Sequence, residues 1–472
     1  MKNNLRRYKL LLFSRLLLSA VMPARLRFIL LMAGGLSGVE ASFAQINSDS
    51  LIEVYTQKMH KYLDKENSAA DIFVFTKAGI EVYAPATDTT QKKFEYGFLW
   101  NEMGVVKAML SESDAKTILK TMKGKSDPFS DEQRKKIPVH SNSSKDTANP
   151  SAEKPLKGLR IALDPGHIAG DLETAKMEKK WVEMKANPLR GIKENIQLIE
   201  GELTLATAKI LKKKLEFQGA TVMLTRDKPN ISAFGIDFRK WKDSLFHKSL
   251  DSAYARGDVS FEEKTFLLKR ANDMEIFRRF FVSEELKERA RKINAFHPDL
   301  TLIIHYNVDE TNQNWNKPTR KDFVMTFVGG SFAKDELDDS ESRVEFLRLL
   351  LTDDLERSIE FSKSIVNSLS EKLEVPAALD SCAIYLRDNC ITTGVNGVFC
   401  RNLTLTRTVK GTLCYGESLY QDNINECKLL SKKDASTSLS MTLDGIQTSK
   451  RVEEVAEAYF QGIMNYVKNK NK

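Results

Sequence analysis

Two histidines in this chain stand directly behind apolar runs. Residues 159–163 lead into Asp164-Pro165-Gly166-His167, and residues 300–304 lead into His305-Tyr306-Asn307. Near-continuous apolar strands belong to sheets covered on both faces. Sheets of that kind gather ligands at the carboxyl ends of their strands. Between the histidines, Glu200-Gly201-Glu202-Leu203-Thr204-Leu205 opens an amphipathic helix predicted to run to about Gln218, with Gly219 as its stop. A strand over 220–224 follows and ends in Thr225-Arg226-Asp227. Two imidazoles and a carboxylate give a zinc ion three protein ligands and leave a fourth position for water. Such a centre turns water into a nucleophile near neutral pH. A third apolar run, 412–416, ends in Glu417, where a carboxylate could take up the water's proton and return it to a leaving amine.

The elements that must position these groups imply an α/β fold. It is a mostly parallel sheet with helices on both faces, preceded by a small α+β domain. With 472 residues the chain has room for two domains. Its start reads as a secretory signal over residues 1–44. Lys2, Arg6, Arg7, Lys9, Arg15, Arg25 and Arg27 precede an uncharged run over 28–39, and Ser42-Phe43-Ala44 supplies a cleavage site near Ala44. A membrane anchor needs about 18–20 apolar residues, and Arg15, Pro23, Arg25 and Arg27 break up the longer stretch. The mature chain is therefore expected to be exported without a stable membrane span. Residues 1–44 hold seven basic residues and one acidic one, so of the formal net charge of +8 only about +2 belongs to the rest. That removes the electrostatic case for nucleic acid as a partner.

Residues 45–127 read as a small separate unit: a helix near 51–63, strands at 72–76 and 80–83, an edge strand at 92–100 and a helix at 113–122. Residues 128–156, with Ser141-Asn142-Ser143-Ser144, have little to bury and read as a flexible linker. The domain over 157–472 carries two insertions, at about 228–283 and 308–358. The first is charged and aromatic and reads as helical around 261–281. The second holds a strand at 324–328 and a helix-prone acidic stretch. Each insertion could wall the cleft or merely embellish the surface. Val452, Val455, Ala456, Tyr459, Ile463 and Tyr466 mark a closing helix. The five cysteines all lie after residue 381. Cys400 and Cys414 read as small buried hydrophobes, while Cys382 and Cys390 are the candidates for a disulfide. His60, His140 and His297 sit where no site is expected, and His247 lies in the first insertion. Arg387 and Arg401, near the end of the strand system, could hold substrate carboxylates or form surface ion pairs.

Taken in order, these motifs resemble the zinc-dependent N-acetylmuramoyl-L-alanine amidases of the type 3 family, which cut peptidoglycan. The match runs through Asp164-Pro165-Gly166-His167, then Glu200 with Leu205, Ala206 and Ala208, and the turn over 224–227. It continues through Leu286, Arg289, Asn294, Asp299 and Leu300, the pair His305 and Asn307, and the end motif Glu417, Tyr420 and Asn423. It covers roughly residues 157–468. The resemblance implies one zinc per chain held by His167, Glu200 and His305, with Glu417 as catalytic acid/base. It also implies peptidoglycan as substrate, a periplasmic location and a possible protein activator, because a helical insertion holds relatives inactive until displaced. Three departures stand out, one of which should only alter packing: Ile303-Ile304 stands where a Ser-Ile is common. Ile168 replaces a usual Gly, and the gap from His167 to Glu200 is wider than usual. Glu173, Glu178, Glu194 and Glu202 therefore remain alternative ligands, although only Glu200 aligns Leu205, Ala206 and Ala208 with the family's helix. The implied activity is hydrolysis of the amide between N-acetylmuramic acid and L-alanine. The alternatives are a zinc peptidase acting within the stem peptide, or a non-catalytic wall-binding or regulatory protein.

Overall fold

The protein was analysed as a computed structural model, which describes residues 48–85, 92–135, 154–431 and 448–470. The expected signal segment, and residues 136–153 of the expected linker, lie outside the described residues. The described part starts with helix α1 (Ser48–Lys58), lengthened by a π turn through Leu63. An antiparallel sheet follows, made of β1 (Phe73–Phe75), β2 (Gly79–Ala84) and β3 (Lys93–Leu99). Helix α2 (Met103–Glu112) was not expected from the sequence. Helix α3 (Ala115–Met122) was, and its N-terminus is capped by Asp114, which accepts from the Thr117 N–H.

The large sheet has seven strands. They are β4 (Arg160–Pro165), β7 (Thr221–Leu224), β8 (Leu300–Asn307), β9 (Met325–Val328), β10 (Ile391–Thr392), β11 (Val398–Cys400) and β12 (Leu413–Tyr420), ordered β10-β11-β9-β12-β8-β4-β7. The block β12-β8-β4-β7 is parallel throughout. Strand β9 runs antiparallel to β12, with β11 parallel to β9 and β10 antiparallel at the edge. The sheet is thus mostly parallel. Ile161, Ala162, Leu163, Leu302, Ile303 and Ile304 are all fully buried, as their apolar runs require. Helices α4 (Glu200–Phe217), α7 (Asp354–Leu373) and α9 (Lys450–Lys470) pack side by side on one face. Helix α5 (Val282–Phe296) and the short α8 (Ile384–Asn389) lie on the other. Between β4 and α4 sits a separate hairpin, β5 (Trp181–Met184) with β6 (Ile196–Ile199).

Helix α6 (Ser340–Leu351), from the second insertion, is buried without a break from Ser342 to Leu351. A helix buried all round needs cover on every side, and the N-terminal sheet and helices supply part of it. The Phe73 ring stacks on Phe346 at 4.3 Å. The buried Arg343 Nε donates to Glu95 at 2.7 Å. The described residues accordingly form one compact unit, so the N-terminal segment is a layer of the main body and not a separate body. The second insertion is likewise core, since it contributes β9 and α6.

The first insertion builds a core of its own. Trp241, fully buried, is surrounded by Phe234, Phe238, Phe246, Phe280 and Phe281. All five cysteines are free, so the expected pairing of Cys382 with Cys390 does not form; Cys390, Cys400, Cys414 and Cys427 are simply buried. Among the described residues no helix is long and apolar enough to cross a membrane. Truncating Trp241 to Ala should cost about 3–5 kcal/mol of the insertion's stability. Hydrogen exchange should show residues 238–281 losing protection before the large sheet does; uniform loss across the chain would mean that the insertion has no core of its own.

Candidate metal centre and active site

The turn after β4 is built to present His167. Its backbone is left-handed (φ 57°), a conformation that costs a non-glycine residue and persists only where the surroundings impose it. Two buried arginines supply that constraint. Arg226 donates to the carbonyls of Pro165, Gly166 and Gly201, and Arg289 reaches the Pro165 carbonyl while pairing with Glu285 at 2.6 Å and Asp164 at 3.5 Å. The Thr225 hydroxyl also bonds Asp164. Burial, with Arg289 close by, pushes the Arg226 guanidinium down to about 9, still protonated at neutral pH. Gly166 has no room for a side chain, because a Cβ there would lie 2.2 Å from the His305 ring.

Glu200 arrives at the first residue of α4, immediately after β6. A Cβ on Gly201 would meet the Ala169 carbonyl oxygen at 2.3 Å, so glycine lets the helix start close against the His167 loop. His305 is in β8, with Glu417 of β12 directly opposite in register. The ligand atoms of His167, Glu200 and His305 all lie within 4.8 Å of one another. Glu200 Oε1 is 3.4 Å from His167 Nε2 and 3.0 Å from His305 Nδ1. These three form the one group of metal-ligating side chains found among the described residues. His167 Nε2 is buried with no hydrogen-bond partner. An orphaned imidazole nitrogen aimed at a buried carboxylate and a second imidazole fits a metal ion of the type that accepts nitrogen and oxygen ligands.

The ligands are held from behind. Glu200 accepts from the Tyr306 N–H at 3.2 Å and from Gln421 Nε2 at 3.1 Å, and Lys180 Nζ lies 3.7 Å away. Burial would raise its carboxyl, but His167 and Lys180 outweigh it and hold it well below the usual range. Glu178 accepts from the N–H groups of Ile168 and Ala169 and lies 3.7 Å from His167 Nδ1. A carboxylate behind a ligating histidine fixes the ring and increases its basicity. Burial pushes the His305 imidazole down to about 4, leaving it neutral, and its ring stacks on Tyr415 at 4.6 Å. Burial and the Glu200 charge push Glu417 up to about 8, and its Oε2 has no partner.

Of the alternative carboxylates, Glu178 stands behind His167. Glu173 pairs with Arg239 at the surface, and Glu194 and Glu202 are exposed. Ile168 is buried in the insertion's aromatic core, which accounts for a large side chain where a Gly is usual. His247 stays in the insertion against Phe246. Arg387 is exposed and pairs with Asp388, whereas Arg401 lies over two aromatic rings. The sequence offered no isolated signal for Lys180 or Gln421; Gln421 stands inside the end motif, between Tyr420 and Asn423.

The sequence model of the N-acetylmuramoyl-L-alanine amidase family (Amidase_3) matches residues 161–448, well over half of the chain. The protein belongs to that family. Among curated relatives, the probable cell wall amidase LytH of two Staphylococcus epidermidis strains is 34% identical over 110 residues, 22% of this chain and 32% of the relative. The chain thus spans about a third of the length of the curated relatives it matches. Solved structures similar to it include the CwlD amidase from Clostridioides difficile in complex with the GerS lipoprotein. That likeness has 18% identity and a TM-score of 0.34, over 66% of this chain and 99% of that one. The amidase Ami1 from Mycobacterium smegmatis has 14% identity and a TM-score of 0.34 over the same shares.

Replacing Gln421 with Leu removes a donor to Glu200 without touching a ligand. It should weaken divalent-metal binding about 10- to 100-fold, while His167→Ala and His305→Ala abolish it. Competition with a chromogenic chelator measures both, and unchanged affinity in the histidine variants would refute the ligand assignment.

Proposed function

We propose that the protein is a zinc-dependent amidase that cleaves the bond between the lactyl group of N-acetylmuramic acid and the L-alanine of the stem peptide. The observation carrying this reading is the convergence of His167, Glu200 and His305 beside the unpartnered Glu417 carboxyl, in a chain of this family. His167, Glu200 and His305 would hold one zinc ion, which when bound supplies Lewis acidity and an acidified water. Glu417 is the proton carrier: its partnerless oxygen can accept the water's proton and deliver it to the leaving alanine nitrogen. A carboxyl raised towards neutral pH suits both halves of that transfer. Tyr415 keeps His305 in plane, and Glu178 keeps His167 turned inward. Because the substrate is wall material, the reading includes export to the periplasm through the basic and apolar N-terminal segment.

The first insertion reads as a fixed wall of the cleft. Ile168, next to His167, is part of its aromatic core, and Arg278 donates to the carbonyls of Lys176 and Met177 beside Glu178. Among the described residues no insertion side chain joins the three ligands. Replacing residues 228–281 by a Gly/Ser loop should therefore slow cleavage. A faster isolated enzyme would instead reveal a restraint that a protein activator could lift.

Glu417→Gln keeps the shape of the side chain but cannot accept a proton. It should retain zinc and lose about 100- to 10,000-fold in turnover. The products are diagnostic: the wild type should release peptide with a free N-terminal alanine, leaving a lactyl carboxylate on the glycan. Cleavage between stem residues would show a peptidase, and no cleavage by zinc-loaded protein would leave only a binding role.

A further inference from the structure

Arg401 follows β11, and the register places its side chain on the sheet face that carries Glu417 and His305. Phe399 pairs with Phe327, and Phe327 with Tyr415, so Phe327, Phe399, Arg401, Tyr415 and Glu417 share that face. The guanidinium lies over the Phe327 ring at 5.0 Å and the Tyr385 ring at 4.9 Å. Tyr385 leads back to the site, since its hydroxyl accepts from Asn307 Nδ2 at 2.9 Å, two residues beyond His305. The placement of Tyr385 is fixed, because Glu310 accepts from the N–H groups of Ile384 and Tyr385. Arg401 is half-buried, yet no carboxylate stands within ion-pair distance of it among the described residues. Lys180, another cation near the centre, lies 3.7 Å from Glu200. The charge of Arg401 reaches Glu417, Tyr415 and Tyr385.

A guanidinium backed by two aromatic rings, with no carboxylate paired to its forked donors among the described residues, is suited to a carboxylate presented edge-on. We infer that Arg401 is a specificity residue that binds a carboxylate of the peptide being released. The side of the cleft decides which part of the substrate it reads. In the proposed function, on which this inference rests, Glu417 protonates the departing amine, so the peptide leaves on the β12 flank. Arg401 is two strands further out on that flank and meets the peptide, not the sugar.

The test uses zinc-loaded full-length protein and two pairs of soluble muramoyl tripeptides. The members of one pair differ only in whether the second residue carries a free carboxylate or a carboxamide; the other pair differs in the same way at the third residue. The wild type should prefer the free carboxylate in one pair by about 10- to 100-fold in kcat/KM, as expected for a bond between charged groups. Arg401→Met should erase that preference, mainly by raising KM for the carboxylate substrate, and leave the carboxamide rate unchanged. Arg401→Lys should restore part of the preference. An equal loss on both members of a pair would make Arg401 a packing residue, and a wild type indifferent in both pairs would overturn the inference without any variant. Failure of the wild type to cleave any of the four would instead overturn the amidase reading, and this inference with it.

Discussion

The rest of the site depends on one constraint, the burial of the Glu200 carboxylate. It is 1% exposed, and a buried charge costs several kcal/mol unless it is paired and hydrogen-bonded. The compensation comes from four places: the Tyr306 N–H and His305 in β8, Gln421 after β12, and Lys180 before β5. A single charge therefore pins two strands of the sheet, the hairpin segment and the start of α4 to one point. The same charge raises Glu417 and His167 and helps to keep the centre receptive to a cation. Structure and chemistry share one source here.

Much of this was legible in the sequence because it is local. The apolar runs before His167, His305 and Glu417 gave strands, and a strand's carboxyl end follows from its direction. Glu200 could be chosen over four nearby carboxylates because Leu205, Ala206 and Ala208 fix the helix register, and the structure brings that carboxylate to the histidines. Glu178 shows the limit of such reasoning. From sequence it was a rival ligand; in the fold it stands behind His167, because α-helical turns between 172 and 178 bring it back under the loop.

What the sequence hid was non-local. Nothing in the apolar run at 324–328 states that β9 is antiparallel to β12, since strand direction depends on where the following helices return the chain. The hairpin β5–β6 was missed because its strands have four residues each, interrupted by the polar Glu183 and Gln197. The N-terminal segment read as separate because its own strands and helices looked self-sufficient. Only the all-round burial of α6 shows that the large domain lacks a layer without it. The expected Cys382–Cys390 bridge rested on proximity in sequence, which says nothing about how two side chains are aimed.

The proposed ligands His167 and Glu200 are separated by the hairpin β5–β6, which raises the question of what holds them together. Glu178 and Lys180 in the connection contact His167 and Glu200, but contacts outside it hold both turns as well. His167 is set by Arg226 and Arg289 gripping the Pro165 and Gly166 carbonyls, and Glu200 by Gly201 lying against Ala169 and by Thr204 bonding the Gly166 carbonyl. Arg226 also holds the Gly201 carbonyl, so one guanidinium binds both ligand-bearing turns directly. The intervening chain carries Lys180 and Trp181, which form an aromatic rim with Trp315: Trp181 stacks on Trp315 at 6.0 Å with Lys180 Nζ 5.5 Å from the Trp315 ring. The connection thus adds an aromatic rim beside the site, while the contacts across the β4 turn hold the proposed ligands His167 and Glu200 in place.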